Sequence, residues 1–326
     1  MTHHTRSLTA PAAALALLSS PVFASDRADW PAHLTIGTAA QGGVYAVYGD
    51  GLATFISQEL GISAAGVITG GPVQNATLVQ MGEHDIGLVT LGPMLEAWTG
   101  DSELAPGRPH TDVRALFPMY ETPFQGIALC HQMIDSVGGL DDKRVSVGPA
   151  GGTPGTYWPR IFDLLEIDAT LSFAGPVDAA EQLKEGQIDA FVFATGLPLD
   201  AVAQLSVEAD VCTFAFDADE HAAVLDAFPE MSDFTIPAGT YSVQEADEAS
   251  VSMWNFAVVH AEMPKSLAYE ITRLVMENNA RMRQIHAAAE GTLPDSHINN
   301  TFLPFHPGAV RWFEENGFEI APDLRG

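Results

Sequence analysis

Three glycine-rich stretches carry the groups that could hold a small anion. They are Gly37-Thr-Ala-Ala-Gln-Gly-Gly-Val-Tyr45, Thr69-Gly-Gly-Pro-Val-Gln-Asn75 and Gly148-Pro-Ala-Gly-Gly-Thr-Pro-Gly-Thr156. A loop that opens a helix beyond the C-terminal end of a strand leaves backbone N–H groups unpaired and aimed outward, which suits an anion. The hydroxyls of Thr153 and Thr156 add neutral donors for a carboxylate, and Asn75 sets an amide on the first turns of the second helix. Thr156 reads as the N-cap of the third helix, with Pro159 in its first turn, where proline is tolerated. Arg160 is the nearest cation in sequence; it reads equally as a counter-ion or as a solvated helix residue.

Catalytic chemistry finds less support. The third loop lacks the Gly-Lys-Ser/Thr ending of a phosphate-binding loop, so no lysine reaches outer phosphates. There is no His-Glu-x-x-His, and the 11 histidines form no Cys/His cluster at metal-ligand spacing. Cys130 and His131 are neighbours, so on a strand their side chains point to opposite faces and cannot act as nucleophile and base. A Gly-x-Ser-x-Gly elbow is also missing. No cofactor and no enzymatic activity are therefore expected.

The elements that position these loops follow one pattern: strand, glycine loop, helix. Leu34-Thr-Ile36 is a short strand, and Tyr45, Tyr48, Leu52, Phe55 and Ile56 form an apolar stripe at helical spacing. Pro72 fits the first turn of the next helix and Gly82 the residue past its end, before a buried strand from Ile86 to Leu91. The passage Gln80 to Pro93 is echoed by Lys184 to Pro198: a helix ends at glycine, an Asp precedes a buried strand, and a Gly/Pro loop follows. Two lobes built alike would leave this trace. The chain is expected to cross between them near Pro123 to Cys130 and to return near Phe256 to His260. Tyr120, Glu121 and Phe124, at the crossing, either line a cleft or pack a hinge. A long amphipathic helix is predicted from Pro264 to Met282, packed on the first lobe by Leu267, Ile271, Leu274, Val275 and Asn278.

Composition narrows the partners. The 326 residues are 47% hydrophobic and carry 14 Lys plus Arg against 42 Asp plus Glu, a net charge of -28. Such a surface repels nucleic acid and anionic lipid. Arg6, an apolar run around Ala12 to Leu18 and Val22-Phe23-Ala24 read as an export signal over residues 1–24, giving a periplasmic protein. No cysteine follows the run, so no lipid anchor is expected. Beyond Leu18 no apolar stretch nears the roughly 18 residues of a spanning helix, so direct membrane insertion is not expected. Cys130 and Cys212, the only thiols, sit in apolar strand-like runs and are read as two buried free cysteines, although export permits a bridge.

At its loops the sequence resembles the solute receptors of TRAP transporters of the TAXI type. The resemblance is carried by Thr35-Ile-Gly-Thr38 with Gly42-Gly-Val-Tyr45, Thr69-Gly-Gly71 with Asn75, Gly82-x-x-Asp85 and Val145-Ser-Val-Gly148 with Gly152-Thr153. It continues through Gly186-Gln-Ile-Asp-Ala-Phe191, Pro237-Ala-Gly-Thr-Tyr241 and Phe305-His-Pro-Gly-Ala309. It implies an α/β, two-lobed type II periplasmic-binding-protein fold with a hinge, lobe one being 30–122 plus 257–326 and lobe two 123–256. It also implies a small carboxylate ligand and, as partners, the integral membrane TRAP subunits. Such receptors are associated with glutamate, glutamine, 2-oxoglutarate and related dicarboxylates, and are not enzymes. By matching loops, the ligand would meet Thr38, Gly43, Val44, Tyr45, Asn75 and Thr90 from lobe one, and Gly152, Thr153, Thr156 and Thr195 from lobe two. The chain departs from the pattern at Gly71-Pro72, where Gly-Ser is usual, at Gly151-Gly-Thr-Pro-Gly-Thr156, where Ser-Gly-Thr is common, and at Thr90-Leu91-Gly92, where a Ser-Asp pair often follows the strand. Two other readings stand beside transport: a sensing module for a membrane kinase, and an enzyme on a similar scaffold, for which no catalytic constellation can be assembled.

Overall fold

The computed structural model describes residues 27–326; the expected export signal lies outside them. Its frame is a sheet through which two strands run the full width. These are β4 (Val113–Leu129) and β10 (Glu248–His260), paired antiparallel with each other. On one side β1 (His33–Gly37), β2 (Ser63–Val67) and β3 (Ile86–Thr90) lie parallel, and β3 joins β10 over residues 255–259. On the other side β5 (Arg144–Ser146), β6 (Thr170–Ser172) and β7 (Ala190–Ala194) repeat that arrangement, with β7 on residues 124–128 of β4. Two short strands complete the edges: β8 (Val211–Phe214) on β4 and β9 (Ser232–Ile236) on β10. The result is a two-lobed α/β fold of the type II periplasmic-binding-protein kind, joined by two crossover strands. β4 passes from β10 to β7 at Pro123/Phe124, and β10 passes from β9 to β3 between Ser252 and Asn255.

Each half of the chain builds its own core. Helices α1 (Val44–Leu60), α2 (Pro72–Gln80) and α3 (Leu91–Thr99) follow the first three strands. The stripe Tyr45, Tyr48, Leu52, Phe55 and Ile56 buries against Leu34, Ile36 and Leu88. In the other half α4 (Thr153–Leu164) covers one sheet face with Trp158 and Ile161, while α5 (Pro176–Lys184) and α6 (Asp200–Glu208) cover the other with Leu183 and Val202. The repeated passage holds the same structural place in both: Gly82 and Gly186 end α2 and α5 with φ of 69° and 70°. Asp85 then accepts from the Thr35 backbone and hydroxyl on β1, as Asp189 accepts from the Arg144 backbone and guanidinium on β5. A short carboxylate ahead of each buried strand thus ties that strand to the first strand of its lobe.

Three expectations are corrected. Cys130 and Cys212 form a disulfide. Antiparallel pairing of β8 with the end of β4 sets their Cα atoms 4.9 Å apart, and both are only part-buried, so neither behaves as a core thiol. The helix predicted from Pro264 to Met282 is two: α8 (Lys265–Met276) and α9 (Asn279–Ile285). Asn278, at φ -127°, leaves helical geometry, and its side-chain amide donates to the Leu274 carbonyl freed at the end of α8. Leu267, Ile271, Leu274 and Val275 still pack in the first core, with Phe305 and with Phe313 of α10 (Pro307–Glu315). Third, α4 begins at Thr153 with Gly152 as N-cap, so Thr156 lies in the first turn, its hydroxyl turned to the Gly152 carbonyl, and Pro159 falls inside the helix. Pro154 at the second helical position, with its preset φ, fixes the earlier start. Tyr120 and Phe124 are buried packing residues of the hinge, Tyr120 against Tyr45 and Tyr48, Phe124 against Trp158.

Candidate functional site

Between the lobes lies a small cleft. The starts of α1 and α4 enter it from opposite sides, and Gly70 and Pro72 at the start of α2 lie at its edge. Neither α1 nor α4 has a side-chain N-cap, because both N-caps are glycine (Gly43 and Gly152). Their first N–H groups have no partner in the preceding turn and carry the positive ends of two helix dipoles. Burial pushes the Tyr45 phenol up, so it stays protonated and able to donate near neutral pH. No Asp, Glu, Lys, Arg or His lines the cleft among the described residues.

Of the expected ligand residues, Gly43, Val44, Tyr45, Thr90, Gly152, Thr153 and Thr195 meet in this cleft. Thr38, Asn75 and Thr156 do not. Thr38 donates its hydroxyl to the Val67 carbonyl. Asn75, fully buried, donates to the Thr38 and Leu88 carbonyls and accepts from the Thr69 hydroxyl, so it pins three strand ends together and has no polar atom left for a ligand.

Sequence reasoning missed the residue that organises the hydroxyls. Asn255, buried on the crossover strand β10, donates to the Tyr120 carbonyl and the Thr122 hydroxyl, both at 2.7 Å. Its carbonyl oxygen then accepts from Tyr45 at 2.6 Å and from Thr90 at 2.9 Å. With the Thr90 proton so committed, Thr153 is left as donor in the 2.7 Å contact between the two threonines. That contact joins β3 of one lobe to α4 of the other. The available signal was a lone amide in the apolar run Trp254-Asn-Phe-Ala-Val-Val259, since a buried polar side chain must find partners.

Further contacts join the lobes. Gly71, at φ 116°, lies against Gly151: a Cβ on it would come within 2.8 Å of the Gly151 carbonyl, so only glycine permits this approach. At the rim, Arg160 of α4 pairs with Glu96 of α3, and its Cζ sits 5.1 Å from the Tyr157 ring centroid. The hydrogen bond to Glu96 raises the guanidinium further above its ordinary range. Arg160 is thus an interlobe ion-pair partner, neither a counter-ion in the cleft nor a free solvated residue. The Tyr157 hydroxyl donates to Glu230 at 2.9 Å.

Similar folds are known among solved structures. A protein described as a periplasmic transporter shares 15% identity over 87% of this chain and 92% of its own, with a TM-score of 0.55. PhnD1 from Prochlorococcus marinus, solved in complex with methylphosphonate, shares 10% over 81% and 92%, with a TM-score of 0.53. At these identities the likeness speaks for the fold, which is that of periplasmic binding proteins. A sequence-family model spans residues 36–317, most of the chain, and on that match the chain belongs to the NMT1-like family.

Proposed function

We propose that this protein is an extracytoplasmic solute receptor that closes its two lobes on a small organic acid and delivers it to the integral subunits of a TRAP transporter. The observation that carries the reading is the cleft itself: uncapped helix starts from both lobes and the hydroxyls of Thr122 and Thr195 face one cleft without a lining charge. Such donors favour an anion and release it readily, because no fixed counter-charge holds it. The mechanism needs two bodies, drawn at 30–122 plus 257–326 and at 123–256. The two crossover strands allow them to rotate, and contacts such as Thr90 with Thr153 exist only when they are shut, so a ligand bridging both shifts the equilibrium to the closed form. The TRAP assignment and the periplasmic location rest on the motif resemblance and the export signal. No helix among the described residues is long and apolar enough to cross a membrane.

The test is thermal melting of protein unfolded and refolded to strip carried ligand, against amino acids, keto acids, dicarboxylates and sugars. A ligand at about 100 times its Kd adds about 2.7 kcal/mol, a rise of a few degrees. Stabilisation by organic acids, with a smaller radius of gyration by X-ray scattering, is the expected result. Stabilisation by sugars alone would overturn it.

A further inference from the structure

Resting on the receptor reading above and narrowing it, we propose that the solute is a small monocarboxylate with an apolar body, lacking both an ammonium group and a second carboxylate, and that its head group is received by Thr195. The Thr195 hydroxyl lines the cleft at the end of β7, in a residue only 7% exposed, and makes no hydrogen bond among the described residues. A hydroxyl with no protein partner, open to a cavity flanked by the uncapped starts of α1 and α4, is a donor available to an acceptor there. Of the other cleft hydroxyls, Tyr45 and Thr90 donate to Asn255 and Thr153 donates to Thr90, while Thr122 accepts from Asn255 and keeps its own proton.

The rest of the wall decides what else the solute can carry. It is made of Ala39, Ala40, Pro149, Pro154, Phe193 and Ala194, with Val44 beside them. An ammonium brings three N–H donors and a full charge, and no carboxylate lines the cleft to meet them. A second carboxylate would lie against alanine, proline and phenylalanine with no cation facing it. The nearby guanidinium of Arg160 is held by Glu96. The ammonium would be stripped of water without compensation, and a second carboxylate would have no full counter-charge to replace its water. The acidic net charge of the whole chain supplies no cation in their place.

Calorimetric titration of the refolded protein with matched pairs tests this. The 2-oxo acids pyruvate, 2-oxoisovalerate and 2-oxoisocaproate are set against alanine, valine and leucine, with 2-oxoglutarate and glutamate as the dicarboxylates. The best monocarboxylate is expected to bind at least about 30-fold tighter than its amino-acid partner and than 2-oxoglutarate. Thr195→Val, nearly isosteric, is expected to weaken that binding about ten-fold while the ligand-free melting temperature stays put. If glutamate or 2-oxoglutarate binds as tightly as the best monocarboxylate, this inference falls and the receptor reading stands. Binding of none of the acids removes both. Unchanged affinity in Thr195→Val overturns the placement of the head group.

Discussion

Arg160→Gln keeps most of the side-chain stem and removes the charge that faces Glu96 across the mouth of the cleft. The two residues belong to different lobes, so their interaction contributes only to the closed form. Their side chains are 36% and 18% exposed, and the second contact of the pair, Nη2 to Oε2, is 3.3 Å. A pair of unit charges about 4 Å apart gains roughly 1 kcal/mol in water and about 4 at an effective dielectric near 20. Partial exposure places this pair between those limits. Desolvation and the ordering of a long side chain take back most of the gain, leaving about 1 kcal/mol. The closed-to-open ratio should then fall about five-fold, and Kd should rise by up to the same factor because the bound state is closed. Titration calorimetry of Arg160→Gln, Glu96→Gln and the double variant measures the coupling directly. Scattering should show a larger radius of gyration for the single variants without ligand. In 1 M salt the difference from the unmodified protein should shrink. If Kd is unchanged and the double-mutant cycle shows no coupling, the ion pair contributes nothing to closure and the argument is wrong.

The bridge between Cys130 and Cys212 closes a loop with a sequence separation of 82, for which the chain-entropy estimate is about 4.5 kcal/mol as a ceiling. Replacing both cysteines by serine should therefore lower denaturant stability by about 3–4 kcal/mol, and equal stabilities would mean the thiols were never joined. Asn255→Leu removes four buried hydrogen bonds and should lower stability by about 2–4 kcal/mol as well as weaken ligand binding; a loss below about 1 kcal/mol would refute its organising role. His306 is buried and its Nδ1 accepts from the Gly308 amide at the start of α10, while desolvation lowers its pKa to about 4. The unfolded chain binds that proton at ordinary histidine pH, so His306 supports full stability above about 6.5 and loses it as pH falls towards 4. His306→Asn, which keeps a capping oxygen, should flatten that part of the stability profile; an unchanged slope between pH 6.5 and 4 would show that His306 does not titrate as described.

What the sequence made legible was local. The stripe from Tyr45 to Ile56 repeats at helical spacing because one helix face must be buried, and that is written within a dozen residues. The starts of α1 and α2 were equally readable: glycine, then proline or an apolar run, is backbone chemistry that needs no distant partner. Gly82 and Gly186, with the Asp that follows each, showed both lobes for the same reason. The errors came where local chemistry offered two answers. Gly151-Gly-Thr-Pro-Gly-Thr156 contains two threonines able to start a helix, and Pro154 tips the choice to the earlier. The stripe beyond Leu274 continues through Met282 although the backbone breaks at Asn278, since the α9 side chain returns to the same core.

The site itself was half legible, and the division follows from who supplies each group. Tyr45, Thr90, Thr153 and Thr195 stand at or just past strand ends or helix starts, so their presence in the cleft follows from the topology of any such lobe. Asn255 and Thr122 enter through the crossover strands, and which of their side chains meet depends on the register of β4 against β10. That register shifts between Trp254 and Phe256, directly at Asn255. A bulge there locally increases twist and re-aims side chains, so the shift and the four hydrogen bonds of Asn255 belong to one feature. A strand pattern read residue by residue cannot carry it, because the shift is a property of the pair. The same holds for Glu96 and Arg160, 64 residues apart: Arg160 reads equally as a counter-ion or a solvated helix residue, and nothing local names Glu96 as its partner. Residues that shape the cleft are thus written locally, while those that couple the cleft to the hinge and the rim are written only in pairings between distant strands and helices.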